Sequence, residues 1–243
     1  MKLTPVQQVE GVYVKRDDLY VLAGVNGSKV RVIGKQAQGA AGIVTAGPRA
    51  ASQLYIAARI AAKLGVPCRC HTAMGATTPH MQDAVDHGAE IIQHKAGYNT
   101  VLQARAVADH QTRPGWALVP LWLRHPLTVA GTRLQCANVP QGVKRVVCVA
   151  GSGMTLAGIL HGLPDVKVVG VRVGADPTKT LDTFGGFGWR SRVQLVDPGT
   201  DYKEGLEGVQ WGDINLDPGY EAKCAKYLQP GDLFWIAGNR IIT

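Results

Sequence analysis

The sequence lacks several features that would place it in whole classes of protein. It has no run of about eighteen apolar residues, the length that spans a bilayer, and its start, Met1-Lys-Leu-Thr-Pro, has no apolar signal-peptide core. It has only three phenylalanines and no block of five lysines or arginines, so a dedicated nucleic-acid-binding module is not indicated. We therefore expect an intracellular, cytoplasmic protein without a membrane partner.

Cysteine is also scarce and scattered. There are five cysteines, an odd number, at Cys68, Cys70, Cys136, Cys148 and Cys224. We expect reduced thiols in the core rather than a disulfide framework. Cys68 and Cys70 have no second Cys or His pair at zinc-finger spacing, so no metal site is predicted. No cysteine lies in a recognisable nucleophile motif.

The composition that is present suits a globular protein. In 243 residues, 46% are hydrophobic and 18% are charged, which allows one large α/β domain or one domain with a smaller insertion. The net charge of +8 favours anionic partners, such as a phosphate-bearing cofactor, an anionic metabolite or nucleic acid. A generally basic surface explains the same charge.

Strand and helix patterns alternate along the chain. An apolar run at 42–47 precedes an Ala-rich helix over 50–64 and a strand over 67–72, and a strand over 143–150 precedes a helix and a strand over 166–173. Such alternation predicts open, mostly parallel sheets with helices on both faces. The pattern is weakest over 182–215.

A glycine turn links the strand that ends at Ala150 to the helix that follows. Gly151, Ser152, Gly153, Met154 and Thr155 lie at the helix start, where free backbone N–H groups and the helix dipole favour an anion. The spacing fits neither a nucleoside-triphosphate loop nor the dinucleotide fingerprint. We predict a phosphate monoester site here, although a βα turn without a ligand has the same residue types.

A second segment, Gly24-Val-Asn-Gly-Ser-Lys29-Val-Arg31, contains a lysine among residues that favour turns. We expect Lys29 on a loop, as the attachment point of an aldehyde cofactor. Alone, the segment fits an ordinary solvated lysine equally well.

Together these motifs resemble the pyridoxal-phosphate (PLP) enzymes of fold type II, the tryptophan synthase β-like fold. The branch most similar is that of 1-aminocyclopropane-1-carboxylate deaminase and D-cysteine desulfhydrase. The similar segments are Val14–Leu19, Asn26 with Lys29-Val-Arg31, His125-Pro126, Gly151–Gly158 and Leu216–Lys223.

The resemblance implies a role for each motif. Lys29 would carry the cofactor, residues 151–155 would bind its phosphate, and Glu221 would meet the pyridine nitrogen. Tyr220 would lie near the substrate. The alternative for Glu221 is an exposed glutamate at a helix start.

The sequence departs from the family pattern at two places, the motif of the cofactor lysine and the Ser-Asn pair that activates the substrate. Gly27 and Ser28 are inserted between the Asn and the Lys of the family motif. In place of the Ser-Asn pair of the deaminases, a gapless alignment puts Ala51 on the catalytic serine and Ser52 on the asparagine that touches the ring hydroxyl. A one-residue gap puts Ser52 on the serine instead. We predict Ser52 as a catalytic and cofactor-binding residue in an incomplete pair.

The expected organisation follows from the resemblance. Residues 1–40 and 126–243 would form a large PLP-binding domain, and residues 41–125 a smaller, trimmed α/β domain. The protein would be a homodimer that acts at the α-carbon of an amino acid or amino-acid-like amine, by elimination, deamination or decarboxylation. Arg31 and Arg49 are candidate clamps for a carboxylate or phosphate, or else surface arginines.

Two further hypotheses keep the cofactor. In the first, the substrate is an amino acid attached to a nucleobase in DNA, as in viral DNA hypermodification, and a basic surface with a trimmed lid would admit it. In the second, the protein is a catalytically degenerate member that binds PLP as a carrier or regulator. The incomplete Ser-Asn pair favours the second.

Overall fold

The structure is a computed structural model that describes residues 2–95, 97–201 and 204–238. The strands are, in chain order, β1 (Val6–Val9), β2 (Val12–Arg16), β3 (Val21–Leu22), β4 (Val25–Asn26), β5 (Ile43–Ala46), β6 (Cys68–Ala73), β7 (Ala89–His94), β8 (Ala117–Val119), β9 (Arg145–Ala150), β10 (Lys167–Arg172), β11 (Val193–Val196), β12 (Gln210–Trp211), β13 (Ile214–Asn215) and β14 (Leu233–Ile236).

The α-helices are α1 (Ser28–Ala37), α2 (Ser52–Leu64), α3 (Pro79–Asp86), α4 (Asn99–Gln111), α5 (Pro126–Gln135), α6 (Met154–Gly162) and α7 (Thr178–Phe184). Short 3₁₀ helices cover Asp17–Leu19, Leu121–Leu123, Cys136–Asn138, Trp189–Ser191 and Glu221–Tyr227. None of the helices within the described ranges has the length and apolar character needed to cross a membrane.

Two main sheets form the framework. A six-stranded sheet has the order β1-β2-β14-β9-β10-β11, in which only β1 and β2 pair antiparallel. A four-stranded sheet has the order β7-β6-β5-β8 and is parallel throughout. The alternating sequence pattern therefore predicted the fold class correctly.

The chain divides into two compact units, one on each main sheet. The first unit contains the residues up to Leu19 together with Pro126–Gly238, and the second contains Tyr20–His125. One division falls after His125. Residues 20–40, which the resemblance places in the large domain, group with the second unit because α1 packs against α2 and β8. Residues 1 and 239–243 of the predicted large domain lie outside the described residues.

In the first unit the sheet is buried on both faces. Because side chains alternate along a strand, Val146, Cys148 and Ala150 of β9 join one apolar cluster with α6, while Val147 joins another with the 3₁₀ helix Glu221–Tyr227. This arrangement keeps β9 central, as apolar runs in parallel sheets require.

Two glycines allow α6 to approach α5 closely. A Cβ added to Gly158 would lie 2.3 Å from Cβ of Thr132, and one added to Gly162 would lie 2.4 Å from Sγ of Cys136. Gly158 and Gly162 are four residues apart in α6. Thr132 and Cys136 are four residues apart in α5 and the 3₁₀ helix that follows it, so the two glycines form one shallow groove that faces one ridge. The middle and the end of α6 thus pack closely against α5 and the 3₁₀ helix that follows it.

The second unit has the same layered plan. One apolar cluster joins α1, α2 and α3 to one face of its sheet, including Ile43, Cys68 and Cys70. On the other face, Val44 and Ala46 of β5 pack with Leu102 and Ala106 of α4. All five cysteines of the chain are buried with free thiols, as the sequence led us to expect.

We expect Gly158→Ala to destabilise the protein by about 1–3 kcal/mol, because the added methyl group cannot be accommodated against Thr132 without moving a helix. Chemical unfolding of the two proteins measures the difference. Ala130→Ser, at an exposed position of α5, is the control and should change the free energy of unfolding by less than about 0.5 kcal/mol. Equal stability of Gly158→Ala and the wild type would contradict the close packing.

Candidate cofactor site

The glycine turn after β9 has the geometry of an anion cradle. Gly153 is the N-cap of α6 with φ 85°, in the left-handed region, and it provides no side-chain cap. A Cβ there would lie 2.9 Å from Cβ of Pro177, so only glycine fits. The first N–H groups of a helix have no partner within the helix, and here no side chain caps them. Met154 is buried, and Ser152 and Thr155 are half-buried beside the turn.

Tyr220 lies next to this turn in the first unit. A Cβ added to Gly151 would lie 3.9 Å from Cε1 of Tyr220 and 3.8 Å from Cγ2 of Val173. The tyrosine ring therefore borders the space above the glycines. The structure brings together two motifs that are about seventy residues apart in the sequence.

Glu221 is buried, with 3% of its surface exposed. Its Oε1 accepts hydrogen bonds from the backbone N–H groups of Ala237 (3.1 Å) and Gly238 (3.3 Å). Burial, followed by the nearby charge of Asp217, raises the pKa of Glu221 to about 7. The alternative of an exposed glutamate at a helix start is therefore wrong.

Lys29 lies in the second unit, in the first turn of α1 rather than on a loop. The expectation of a loop was wrong because Gly27 and Ser28 begin a helix: Gly27 is the N-cap with φ 105°, and Ser28 is the first helical residue. The two residues inserted relative to the family motif thus form the turn into α1. Lys29 Nζ donates a hydrogen bond to Ser52 Oγ over 2.8 Å.

Ser52 is the first residue of α2 and is 8% exposed. Ala51 is the N-cap, with extended backbone and no side-chain hydrogen bond. Gln53 cannot take the place of the family's asparagine, because its amide nitrogen donates to Thr45 Oγ1 (2.8 Å) and to the carbonyl of Pro120 (2.9 Å). At this helix start, Ser52 accepts the hydrogen bond from Lys29.

The two candidate clamp arginines both have contacts within the second unit. Arg31 is 3% exposed, and its guanidinium lies 5.4 Å from the ring centroid of Tyr20. Arg49 Nη1 donates to the carbonyl of Ala76 over 2.9 Å, and the carbonyl of Arg49 accepts from the hydroxyl of Thr78. Arg49 thereby holds the segment that follows β6.

A cysteine nucleophile has no support in the structure. All five thiols are buried, and burial raises the pKa of Cys136 and of Cys148 to about 12. A thiol in such surroundings stays protonated and unreactive at neutral pH.

The sequence analysis did not identify the residues that determine the pKa and the orientation of the Glu221 carboxyl group. Asp217, four residues earlier, raises its pKa, and the amides of Ala237 and Gly238 orient its carboxylate. The only available signal was a glycine two residues after the apolar strand β14. That signal marks a turn without indicating what the turn contacts.

A family model described as "Pyridoxal-phosphate dependent enzyme" matches residues 2–206. The chain belongs to this pyridoxal-phosphate-dependent enzyme family. The resemblance inferred from the sequence is thereby confirmed at the level of family, fold type and cofactor. No curated protein matches the chain at a significant level.

Several solved structures share the fold of this family member. An ACC deaminase homologue has a TM-score of 0.75 at 22% identity, covering 98% of this chain and 90% of its own. Serine racemase from Dictyostelium discoideum has a TM-score of 0.68 at 16% identity, covering 99% and 93%. Processed threonine deaminase isoform 2 from Solanum lycopersicum has a TM-score of 0.68 at 15% identity, covering 98% and 80%.

The residues present fit pyridoxal phosphate. In the first unit, the turn at Gly151–Gly153 leaves room and backbone donors for a phosphate, and Glu221 is a buried carboxylate with no ion pair to any cation of the described chain. In the second unit, Lys29 provides a primary amine beside a hydroxyl.

We expect Glu221 to make the stability of the cofactor-free protein depend on pH. Its pKa rises from 4.5 to about 7 on folding, so the folded state keeps a proton that the unfolded state releases between these values. The free energy of unfolding should therefore fall by about 3 kcal/mol as pH rises from 4.5 to 7. Urea unfolding across this range measures the slope.

Glu221→Gln should lose this component of the slope, since an amide does not titrate. Glu207→Gln, at an exposed position, is the matched control and should keep the wild-type slope. If wild type and Glu221→Gln have parallel pH profiles, the carboxyl group does not titrate as the buried geometry requires.

Proposed function

We propose that this family member is an active PLP-dependent enzyme that acts at the α-carbon of an amino acid or amino-acid-like amine. The reaction would be an elimination, a deamination or a decarboxylation. The observation that carries the proposal is the 2.8 Å hydrogen bond from Lys29 Nζ to Ser52 Oγ, at the first turns of two helices. It supports Lys29 as the attachment residue because the amine has a fixed, partly buried position.

The first unit would bind the ends of the cofactor. Backbone N–H groups at the start of α6, with the hydroxyls of Ser152 and Thr155, would hold the phosphate. Glu221 would hold a proton on the pyridine nitrogen, and this new cation would in turn lower the pKa of the carboxyl group from its raised value. Tyr220, beside the glycine turn, would border the substrate.

The second unit would carry out the proton transfers. When bound, the cofactor supplies an electron sink that stabilises negative charge at the α-carbon of the substrate. Lys29, once its amine is free, would remove or return the proton at that carbon. Ser52 would orient the amine through the hydrogen bond that it accepts, and its burial would keep bulk water from competing.

The names of similar structures support the substrate class. They include a threonine deaminase, serine racemases and a diaminopropionate ammonia lyase, proteins whose names specify amino acids. These names specify different reactions. They therefore support amino acids as the class of substrate, but they do not favour the breaking of any particular bond at the α-carbon. A substrate linked to DNA and a homodimeric assembly stay predictions.

One observation favours the degenerate alternative. Ala51, at the N-cap of α2, has no hydroxyl, and the amide of Gln53 donates to β5 and to the segment after β8. If the reaction needs the complete Ser-Asn pair, the protein would bind PLP without turning over a substrate. A substrate screen separates this alternative from the main proposal.

We expect borohydride reduction of the PLP-saturated protein to label Lys29. Peptide mapping by mass spectrometry should find the reduced cofactor on that residue, with a visible absorption band before reduction. Lys29→Ala should lose both the band and the label, whereas Lys35→Ala, an exposed lysine on the same helix, should keep them. A label elsewhere, or none, would refute the assignment of Lys29.

We expect the PLP-loaded protein to transform at least one free amino acid. Proton NMR in deuterated water reports loss of the α-proton signal, and it also detects keto acids, ammonia-derived products and amines. Lys29→Ala should be slower by about 10³-fold or more, since it removes the acid/base group. Ser52→Ala should be slower by about tenfold while it still binds PLP.

The same screen includes an amino acid linked to a nucleobase in a DNA oligonucleotide. Activity on this substrate alone would favour the DNA-linked alternative. Labelling of Lys29 without turnover of any substrate would favour the degenerate PLP-binding protein.

A further inference from the structure

A polar cavity lies in the first unit, outside the glycine turn. It has a volume of about 190 Å³ and lies where β10 and β11 end, between Arg172, Asp197, Thr200 and Lys223. Ligands of parallel sheets commonly bind outside the carboxyl ends of the strands. A cavity of this volume holds several water molecules, so it suits a small ligand.

Lys223 gives the cavity a buried positive charge. Its side chain is 1% exposed, and its Nζ donates to the carbonyl of Asp201 over 2.8 Å. Within the described ranges no carboxylate forms an ion pair with this ammonium group. A buried charge without a counter-ion is costly, and an anionic ligand would remove that cost.

The other wall contains an ion pair and a hydroxyl. Arg172 Nη2 donates to Asp197 Oδ2 over 2.9 Å. The backbone N–H of Gly199 and then Arg172 hold the pKa of Asp197 below its usual range, so this pair is charged at neutral pH and has no net charge. Thr200 Oγ1 is buried without a hydrogen-bond partner among the described residues. The cavity therefore keeps one net positive charge from Lys223 and one unused hydroxyl.

We propose that this cavity binds a small oxyanion, a carboxylate or phosphate group, through Lys223, Arg172 and Thr200. Lys223 supplies the charge, Arg172 a guanidinium at the rim, and Thr200 a hydroxyl donor. The site is distinct from the glycine turn, because no residue of 151–155 lines it.

The two places are nevertheless adjacent. Val173 lines the cavity and also lies against Gly151, and Lys223 is on the same short helix as Glu221. An anion bound there would contact the elements that carry the candidate cofactor residues. The inference goes beyond the proposed activity and does not depend on it.

Isothermal titration of the full-length protein with inorganic phosphate and, separately, with succinate tests the proposal. Each titration is run without PLP and with saturating PLP. Preference for phosphate or for succinate decides which oxyanion source the cavity favours. With saturating PLP the glycine turn is occupied, and we expect one of the two anions to bind to the protein in this condition. Without PLP, phosphate has the glycine turn as an additional site.

Two variants should weaken that binding. Arg172→Gln should weaken it by about tenfold through loss of a charged donor, and Thr200→Val by about fivefold through loss of a neutral one. Lys223→Met should abolish it, and a circular dichroism melt checks that this buried substitution still folds. If Lys223→Met does not fold, the affinities of Arg172→Gln and Thr200→Val still test the proposal.

The matched controls lie away from the cavity. Lys167→Met removes a lysine at the opposite end of β10 whose Nζ also donates to a backbone carbonyl, and Arg190→Gln removes an exposed arginine paired with Asp182. Both should bind the anion as the wild type does. Equal affinity in all variants, or absence of binding to the PLP-saturated protein, would overturn the proposal.

Discussion

The pairing of β9 on both sides is the constraint on which the first unit depends. β9 bonds in parallel to β14 and to β10, and both of its faces are buried. Its backbone polar groups are satisfied within the sheet, so the chain must leave at the sheet edge and reverse over one face. The turn at Gly151–Gly153 is that reversal, and the donors at the start of α6 follow from it.

The same edge explains why the remaining candidate residues of the first unit lie where they do. β14 ends beside β9, and the amides just after it hold the carboxylate of Glu221. β10 ends on the other side of β9, and Arg172 and Val173 there border the polar cavity. One layer of parallel strands thus places an anion cradle, a buried carboxyl group and a buried lysine along one edge.

The second unit places an amine next to a hydroxyl group. Helices that start with Gly27 and Ala51 at their N-caps have no side-chain caps, and their first turns bring Lys29 Nζ to Ser52 Oγ. Gln53, next in the chain, instead fastens α2 to β5 and to the segment after β8. Ser52 and Gln53 contact different partners because successive side chains of a helix are rotated by about 100° around its axis.

Local sequence patterns predicted helices and strands well where the spacing of apolar residues and the residues of the flanking turns determine them. The helix expected over 50–64 is α2 at Ser52–Leu64, and the strand expected over 143–150 is β9 at Arg145–Ala150. The expectation that Lys29 lies on a loop was wrong because glycine and serine favour both turns and helix starts, and composition alone does not choose between them. The expected boundary at residue 40 differs from the observed division after Leu19. The contacts of α1 with α2 place α1 in the second unit, and the local sequence of either helix does not predict such contacts.

The sequence by itself determined the fold class, the family and the cofactor, because strand alternation, glycine turns and family motifs are local in the chain. Only the tertiary structure decided that Glu221 is buried against amides 16 and 17 residues away, and that Ser52 reaches Lys29 across 23 residues. Burial and contact through space depend on how the elements pack. They set the protonation of Glu221 and the orientation of Lys29, and these are the properties on which the proposed chemistry depends.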